Sequence, residues 1–228
     1  MPISSADKKE TAKTWIKAFP TLCAYAQDKL YKVVGPFIMG IEIIKLPRVD
    51  EYRPHFVLYP LYGNSSGSDL KACMTYPVLL FEFFNKKNLQ YSIAYKNSLS
   101  ILQEVFTDVK NQLAFNIDGE IDVTSFYKLI DTQINNGLVK KQLKEPEYYE
   151  VKYYSALYLS SKEAEVILEQ IQKDSKSWDM NRFSAYYGDF ENWLNDLKKV
   201  KRSKFISVIE KNKSDKRIAK LQQSELKI

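Results

Sequence analysis

The residue types that most often carry out catalysis or bind metals are scarce in this chain. His55 is the single histidine, and Cys23 and Cys73 are the only cysteines among 228 residues. Zinc needs about four Cys, His, Asp or Glu ligands, usually in closely spaced pairs, and no such pair of Cys or His occurs here. No Gly-x-Ser-x-Gly elbow accompanies His55, as a hydrolase of that type would require. We therefore expect no metal site, and we expect both cysteines to be buried thiols.

Phosphate-binding loops are also missing. The sequence has neither the Gly-x-x-x-x-Gly-Lys pattern nor the Gly-x-Gly-x-x-Gly pattern, and it has seven glycines in all. The polar stretch 63–67 is predicted to be a surface loop that connects two strands. The Glu-x-Lys spacing at Glu150 and Lys152 occurs in metal-dependent nucleases, but the required upstream Asp is absent. The sequence therefore predicts no nucleotide cofactor and no other cofactor.

Two carboxylates in apolar strands are the remaining catalytic candidates. Glu42 lies within Ile-Glu-Ile-Ile and Glu82 within Leu-Phe-Glu-Phe-Phe. Burial would raise the pKa of either carboxyl and suit it to acid–base chemistry. On a half-exposed strand, alternation instead points such a glutamate to solvent. An enzyme built on Glu42, Glu82 and His55 requires a cleft that holds at least two of them.

Aromatic residues are the most unusual feature of the composition. Sixteen Tyr, twelve Phe and three Trp make up 14% of the chain. The stretch 148–159 alternates as a β-strand would, which places tyrosines and charges together on one face. Tyrosine mixed with charge is typical of protein-binding surfaces; the alternative is that tyrosine merely favours strands. The predicted partner-binding residues are Tyr148, Glu150, Lys152, Tyr154 and Tyr158.

Positive charge is concentrated at the C-terminal end. The chain has a net charge of +6, and residues 197–228 hold eleven Lys or Arg against three acids. Because five of the 34 basic residues are Arg, nonspecific attraction is favoured over sequence readout. The stretch is either a solvated tail or a polyanion-binding arm. The polyanion-binding candidates are Lys198, Lys199, Lys201, Arg202 and Lys204.

Hydrophobic periodicity predicts an α+β fold with an antiparallel sheet of about four to five strands and several helices. Ser4 or Ser5 caps a helical pattern that reaches Leu30, with a kink or restart at Pro20. Strands are predicted at 37–46, 52–61, 77–84, 89–95 and 148–159. Prolines near the ends of the second strand indicate a sheet edge or strand termini. Helices are predicted at 98–115, 124–136 and 161–173, with one more from Asp189 onward.

The domain prediction is a single α+β domain over 1–196, followed by a basic amphipathic helical extension over 197–228. Past Asn212 the apolar stripe thins, and we expect fraying there. The longest apolar run is shorter than the roughly 20 residues of a membrane span. The N-terminus has no apolar core of a secretory signal, so we expect a cytoplasmic protein.

These observations favour a non-catalytic intracellular protein-binding module, such as an immunity or antitoxin-type protein or an accessory subunit. Its partner would be another protein. The alternative is a nucleic-acid-associated protein that binds phosphates through residues 197–228.

Overall fold

A computed structural model describes residues 3–63, 68–96, 99–113, 115–135 and 145–228. Most of the predicted 63–67 loop, the predicted cap at Ser98 and the predicted helix stop at 136–137 lie outside these ranges. The structure combines several helices with one main antiparallel sheet, which confirms the α+β prediction. Among the helices of the described ranges, none is both long and apolar enough to cross a membrane.

The main sheet has the order β1-β2-β3-β4-β5, so strands that follow one another in sequence are also neighbours in space. Its strands are β1 (Cys23–Ala26), β2 (Lys29–Val34), β3 (Phe37–Lys45), β4 (Glu51–Pro60) and β5 (Leu79–Glu82). Short connections allow this antiparallel meander. Gly35 turns the chain between β2 and β3 with φ of 53°, which suits glycine.

The described residues also form four two-residue strands: β6 (Ile93–Ala94), β7 (Ile121–Asp122), β8 (Gln223–Ser224) and β9 (Leu226–Lys227). The strand β6 pairs with β4, and β8 pairs with β2 in parallel. A separate small sheet pairs β7 with β9. The C-terminal residues therefore pair with two different sheets, since β8 joins the main sheet and β9 joins β7.

The described helices, in chain order, are α1 (Ser5–Ala18), α2 (Leu70–Cys73), α3 (Leu99–Gln112), α4 (Val123–Ile134), α5 (Glu145–Leu159), α6 (Ser161–Asp174), α7 (Met180–Tyr187), α8 (Phe190–Lys198) and α9 (Arg202–Lys213). A short 3-10 turn covers Ser175–Ser177. Ser4 caps α1 through a reciprocal bond with Asp7, and Ser160 caps α6. The predictions of α1, α3, α4 and α6 are confirmed.

Aromatic residues from the helices and from the connection after α3 pack on one face of the sheet. The Trp15 indole donates to the Tyr52 hydroxyl at 3.0 Å and meets Phe106 edge-on at 4.9 Å. Farther along the sheet, Phe56 contacts Phe115 and Phe37 contacts Phe126. These contacts fix α1, α3 and α4 against the strands and form the main core.

Three sequence predictions about the strands are wrong. The helical pattern predicted to reach Leu30 ends at Ala18, because Pro20 stops it and the chain then enters β1 and β2. Of the two alternatives for the second predicted strand, the sheet edge is wrong, because β4 lies between β3 and β5. The strand-terminus alternative holds for Pro60, which is the last residue of β4, and Pro54 falls in the gap between the β6 and β5 partners of this strand. The predicted return strand 89–95 forms one bridge, Phe84 to Gln90, and then pairs with β4 instead.

The stretch 148–159 is helical rather than extended. It forms most of α5, which is buried nearly all round. A helix surrounded by protein shows no polar stripe, and its tyrosines and Val151 favour strands by propensity. The alternation of residue types along 148–159 therefore does not reflect a strand, and the prediction of a strand here is wrong.

The C-terminal segment is part of the folded body. Buried side chains continue beyond Asn212 at Ile218, Leu221 and Leu226, and the Asn212 amide donates to the Leu61 and Ser68 carbonyls at 2.8 and 2.9 Å. The expected fraying past Asn212 is wrong. The single helix predicted from Asp189 is two helices, α8 and α9, interrupted at 199–201.

Candidate functional site

A groove of about 1200 Å³ lies beside α5, between the connection that joins β4 to β5 and the helices α8 and α9. Its lining residues come from four places along the chain: 62–63 with 68 and 76–78, one face of α5, the end of α7 at Tyr187, and the stretch from Asp196 to Val208. Residues far apart in sequence thus converge here, as they do in binding sites.

The helix α5 supplies one wall. Glu147, Glu150, Val151 and Tyr154 all line the groove. Glu150, Val151 and Tyr154 follow Glu147 by three, four and seven residues, and this spacing places all four on one face of the helix. Two carboxylates therefore stand a single turn apart, next to an apolar residue and a tyrosine.

The floor is aromatic. The Tyr62 and Tyr154 rings lie 4.2 Å apart between centroids, and Tyr154 stacks on Phe205 at 5.5 Å. Burial raises the pKa of Tyr62 and of Tyr154, and the Glu150 carboxylate raises both further. Both hydroxyls therefore stay protonated and neutral at physiological pH.

Glu150 is the most perturbed acid of the groove. Its Oε1 accepts a hydrogen bond from the Trp193 indole at 2.6 Å. Burial raises the pKa of Glu150 to about 7. The hydrogen bond from Trp193 lowers this pKa, and the negative charge of the neighbouring Glu147 raises it. Glu147 accepts a hydrogen bond from the Tyr187 hydroxyl at 3.2 Å. Near neutral pH the Glu150 carboxyl therefore exists in both protonation states.

Lysines line the opposite wall. Lys199, Lys201 and Lys204 line the groove and are exposed. Lys199 pairs with Asp196 at 3.0 Å, where both side chains are about three-quarters exposed, so this pair contributes little to stability. The carboxylates of the lining therefore lie on α5 and at Asp196 of α8, and its lysines lie in the interruption after α8 and on α9.

The predicted partner-binding residues do not share a surface. Glu150 and Tyr154 line the groove, whereas Tyr148 and Lys152 are buried. The Lys152 ammonium donates to Asp131 at 2.9 Å and lies over the Tyr127 and Tyr149 rings.

Tyr158 is half-buried and bonded at the far end of α5. It donates to Glu225 and accepts from Lys213 at 3.3 Å, which ties α5 to α9 and to the C-terminus. Only two of the five residues therefore reach the groove, because helical geometry distributes the five around α5.

The predicted polyanion-binding residues separate in a similar way. Lys199, Lys201 and Lys204 line the groove, and Lys198 is exposed outside its lining. Arg202 instead donates to the carbonyl oxygens of Leu157, Tyr158 and Leu159 at 2.7 to 3.2 Å. This guanidinium satisfies the last carbonyls of α5 and has a structural role.

The catalytic candidates on the sheet are direct neighbours. His55 pairs in register with Glu42 on one side and with Glu82 on the other. Its Nε2 lies 3.4 Å from the Glu82 Oε1, and burial lowers the pKa of His55. Glu42 accepts hydrogen bonds from the Tyr31 and Tyr59 hydroxyls and forms an ion pair with Lys29 at 3.1 Å. None of the three lines the groove.

The sequence patterns did not identify several residues of the groove lining, namely Tyr62, Tyr76, Glu147, Tyr187 and Val208. The spacing of Glu147, Glu150 and Tyr154 was the available signal, because it is helical. Tyr62 and Tyr76 follow irregular connections, whose position in space no periodicity predicts.

Comparison of the chain with protein-family models, curated proteins and solved structures finds no match. Within the described ranges, no group of three or more His, Cys, Asp or Glu side chains is arranged to hold a metal ion.

Proposed function

We propose that the chain is a non-catalytic binding protein that receives a segment of a partner protein in the groove. The observation that carries this proposal is the lining, which combines aromatic side chains packed on one another with a pair of carboxylates and three lysines. Aromatic anchors surrounded by polar groups are typical of protein-binding hot spots.

The size of the groove also favours a protein segment. Pockets for small molecules usually enclose about 300–1,000 Å³, and this groove is larger and open. Tyr76 is 71% exposed on its rim, where a partner would cover it. An exposed tyrosine beside a groove offers contact area at a low cost in side-chain entropy.

The test is selection of binders from a random peptide display library on the wild-type protein. Selected peptides should bind Tyr76→Ala at least about 10-fold more weakly, as expected when an anchor is truncated. Val208→Arg, which projects a long cation from the groove wall, should abolish binding.

Matched controls exist for both variants. Tyr186 is 72% exposed and does not line the groove, so Tyr186→Ala should bind within about twofold of the wild type. Ser207 is exposed on the same helix as Val208, so Ser207→Arg adds the same charge outside the groove. Failure to enrich any peptide, or equal losses in Tyr76→Ala and Tyr186→Ala, would contradict the proposal.

A second candidate function is nonspecific polyanion binding, because Lys198, Lys199, Lys201 and Lys204 are exposed close together in sequence. Deleting residues 197–228 cannot test it, since that segment carries core residues such as Ile209 and Leu226. Replacement of the four lysines by Gln is the suitable variant. If they bind phosphates, the slope of log affinity against log salt for a short DNA duplex should fall by about 3–4.

A further inference from the structure

We propose that the partner segment continues from the groove as an extended strand along the outer edge of β5, where its main chain pairs with Leu80 and Glu82. This inference rests on the proposed function, because the segment is the one that the groove receives. The lining residues 76–78 run directly into β5, which begins at Leu79. A segment that lies against this part of the lining therefore reaches the edge of the main sheet.

The strand β5 is the outermost strand at its end of the main sheet. Among the described strands it pairs with β4 and with no other. An unpaired edge presents a row of N–H and C=O groups that can pair with another chain. Peptides that add a strand to such an edge obtain their affinity from these main-chain groups. The chemistry that suits β5 is therefore that of an extended peptide backbone.

The hydrogen bonds between β3 and β4 show which residues of β4 bond toward β5. The Leu46 N–H donates to the Glu51 carbonyl at 2.9 Å, and the Leu61 N–H donates to the Pro36 carbonyl at 2.8 Å. The register between these two bonds is continuous. Odd-numbered residues of β4 therefore bond to β3, and even-numbered residues bond on the other side, toward β5.

The register of β5 then shows which of its main-chain groups point outward. Phe56 is an even-numbered residue of β4 and lies opposite Phe81, so the main chain of Phe81 bonds to β4. Successive residues direct their main-chain groups to opposite sides of a strand, and those of Leu80 and Glu82 therefore point away from β4. They form no hydrogen bond with another described residue, and the Leu80 side chain is 46% exposed.

A side chain already pairs with the next outward position along the chain. The Phe84 N–H donates to Gln112 Oε1 at 2.9 Å, and Gln112 Nε2 donates to the Phe84 carbonyl at 2.9 Å. A residue of a neighbouring antiparallel strand would make the same two bonds. The Gln112 amide therefore shows that this side of the strand accepts amide groups, and it ends the open part of the edge at Glu82.

The opposite end of the sheet is less suited to strand addition. The register of β1 with β2 shifts between Ala24 and Ala26, and such irregularities protect an edge from pairing. The register of β5 with β4 is regular over Leu79–Glu82. Pairing of two β5 edges from two copies of this chain would bring two Glu82 carboxylates into one short ladder, where like charges repel. These features favour β5 as the edge and a partner segment as its occupant.

Amide hydrogen exchange of the free protein, followed by NMR, tests whether the edge is open. The Leu80 and Glu82 amides should exchange at least about 100-fold faster than the Phe81 amide, because only the latter is bonded to β4. The Phe84 amide is the internal control, since it should be slow in the wild type and fast in Gln112→Ala. Slow exchange of Leu80 and Glu82 in dilute free protein would mean that the edge is covered and would overturn the proposal.

The binding probe is a capped hexapeptide of alternating Lys and Val, compared with an analogue that is N-methylated at every residue. Both carry the same charges, so the comparison isolates the main-chain donors. The parent peptide should slow exchange of the Leu80 and Glu82 amides at least about 5-fold, and the analogue should leave it unchanged. Equal effects of the two peptides, including no effect of either, overturn the proposal.

Two substitutions of one residue test the same bonds from the side of the protein. Leu80→Pro removes an outward N–H without breaking a bond to β4, whereas Leu80→Ala keeps that N–H. Leu80→Pro should weaken binding of the parent peptide at least about 5-fold more than Leu80→Ala does. Equal losses would contradict the proposal. If Leu80→Pro is unstable, the N-methylated peptide still decides the question.

The peptide library judges the proposed function separately. Selected peptides that depend on Tyr76 but leave exchange of the Leu80 and Glu82 amides unchanged would preserve the groove as a binding site and refute strand addition. Selected peptides that depend on Tyr76 and slow both amides would support both. Slowing that needs no peptide and grows with protein concentration would show that a second copy occupies the edge, and it would refute a partner strand there.

Discussion

Glu42 and Glu150 are both carboxylates withdrawn from water, but they differ in the number of donors around them. Glu42 on β3 accepts hydrogen bonds from two tyrosine hydroxyls and forms an ion pair with Lys29. Among the described residues, Glu150 on α5 accepts one hydrogen bond, from the Trp193 indole. The several partners around Glu42 make it part of the scaffold, whereas Glu150 has fewer described partners and lies in the lining of the groove.

Removal of Glu42 is expected to have the largest effect. Glu42→Ala leaves the Tyr31 and Tyr59 hydroxyls without their acceptor, and each orphaned buried group costs about 1–3 kcal/mol. We therefore expect the free energy of unfolding to fall by about 4 kcal/mol, measured by urea denaturation at pH 8. Glu10→Ala, at a residue whose side chain is 73% exposed, should change it by less than about 0.5 kcal/mol.

If Glu42→Ala lowers the free energy of unfolding no more than Glu10→Ala does, the hydrogen bonds around Glu42 do not stabilise the fold. The proposed difference between Glu42 and Glu150 would then be refuted.

Removal of Glu150 should change the pH dependence of stability. Because the pKa of Glu150 is raised from 4.5 to about 7, the folded state retains a proton that the unfolded state releases. Its ionisation therefore lowers the stability of the wild type as pH rises from about 4.5 to about 7. The loss is complete above that range and amounts to about 3 kcal/mol.

Glu150→Gln should lack this loss, so the variant gains stability relative to the wild type at pH 8 but not at pH 4.5. The measurement is urea denaturation across that range. Glu165→Gln, at an exposed glutamate on α6 outside the groove lining, should follow the wild type. Parallel pH profiles for wild type and Glu150→Gln would show that the carboxyl is not desolvated.

Lys152 offers a smaller test, because its buried charge already has its partners. Lys152→Met keeps the aliphatic stem, and Asp131 is about half exposed and can be hydrated. We expect a loss of about 1 kcal/mol in unfolding free energy. Affinity for groove-selected peptides should stay within about twofold, unlike that of Tyr76→Ala. A large loss of affinity would instead support the sequence-based assignment of Lys152 to partner binding.

The lysines of the groove wall should have the smallest effect on stability. Lys201 and Lys204 are exposed, so the double change to Gln should alter unfolding free energy by less than about 0.5 kcal/mol. Peptides that carry acidic residues should nevertheless bind this variant a few times more weakly, and their affinity should depend less on salt. Unchanged binding of acidic peptides would show that the lysine wall plays no part in recognition.

Much of the fold was predictable because it depends on local patterns. The cap at Ser4, the apolar run of β3 and the cap at Ser160 each specify an element without reference to the rest of the chain. The helix α5 was not predictable in this way. Its surroundings bury nearly every side, so the polar stripe that distinguishes a helix from a strand is absent.

The candidate site was predictable only in part for the same reason. Glu150 and Tyr154 were identified for their composition, but the wrong secondary structure grouped them with the buried Tyr148 and Lys152. The basic residues Lys199, Lys201 and Lys204 were identified separately, as a tail. Their convergence with α5 depends on the packing of Tyr154 against Phe205, a tertiary contact that the sequence pattern does not encode.

The most direct test of the central claim is a pH titration of the Trp193 indole NMR signal in the free protein. The indole donates to Glu150, so its proton and nitrogen shifts report the ionisation of that carboxyl. Assignment by Trp193→Phe separates it from Trp15 and Trp178. We predict a midpoint near pH 7 that disappears in Glu150→Gln and persists in Glu165→Gln. A midpoint near 4.5, or the same titration in Glu150→Gln, would contradict the assignment of Glu150 as the uncompensated acid of the groove.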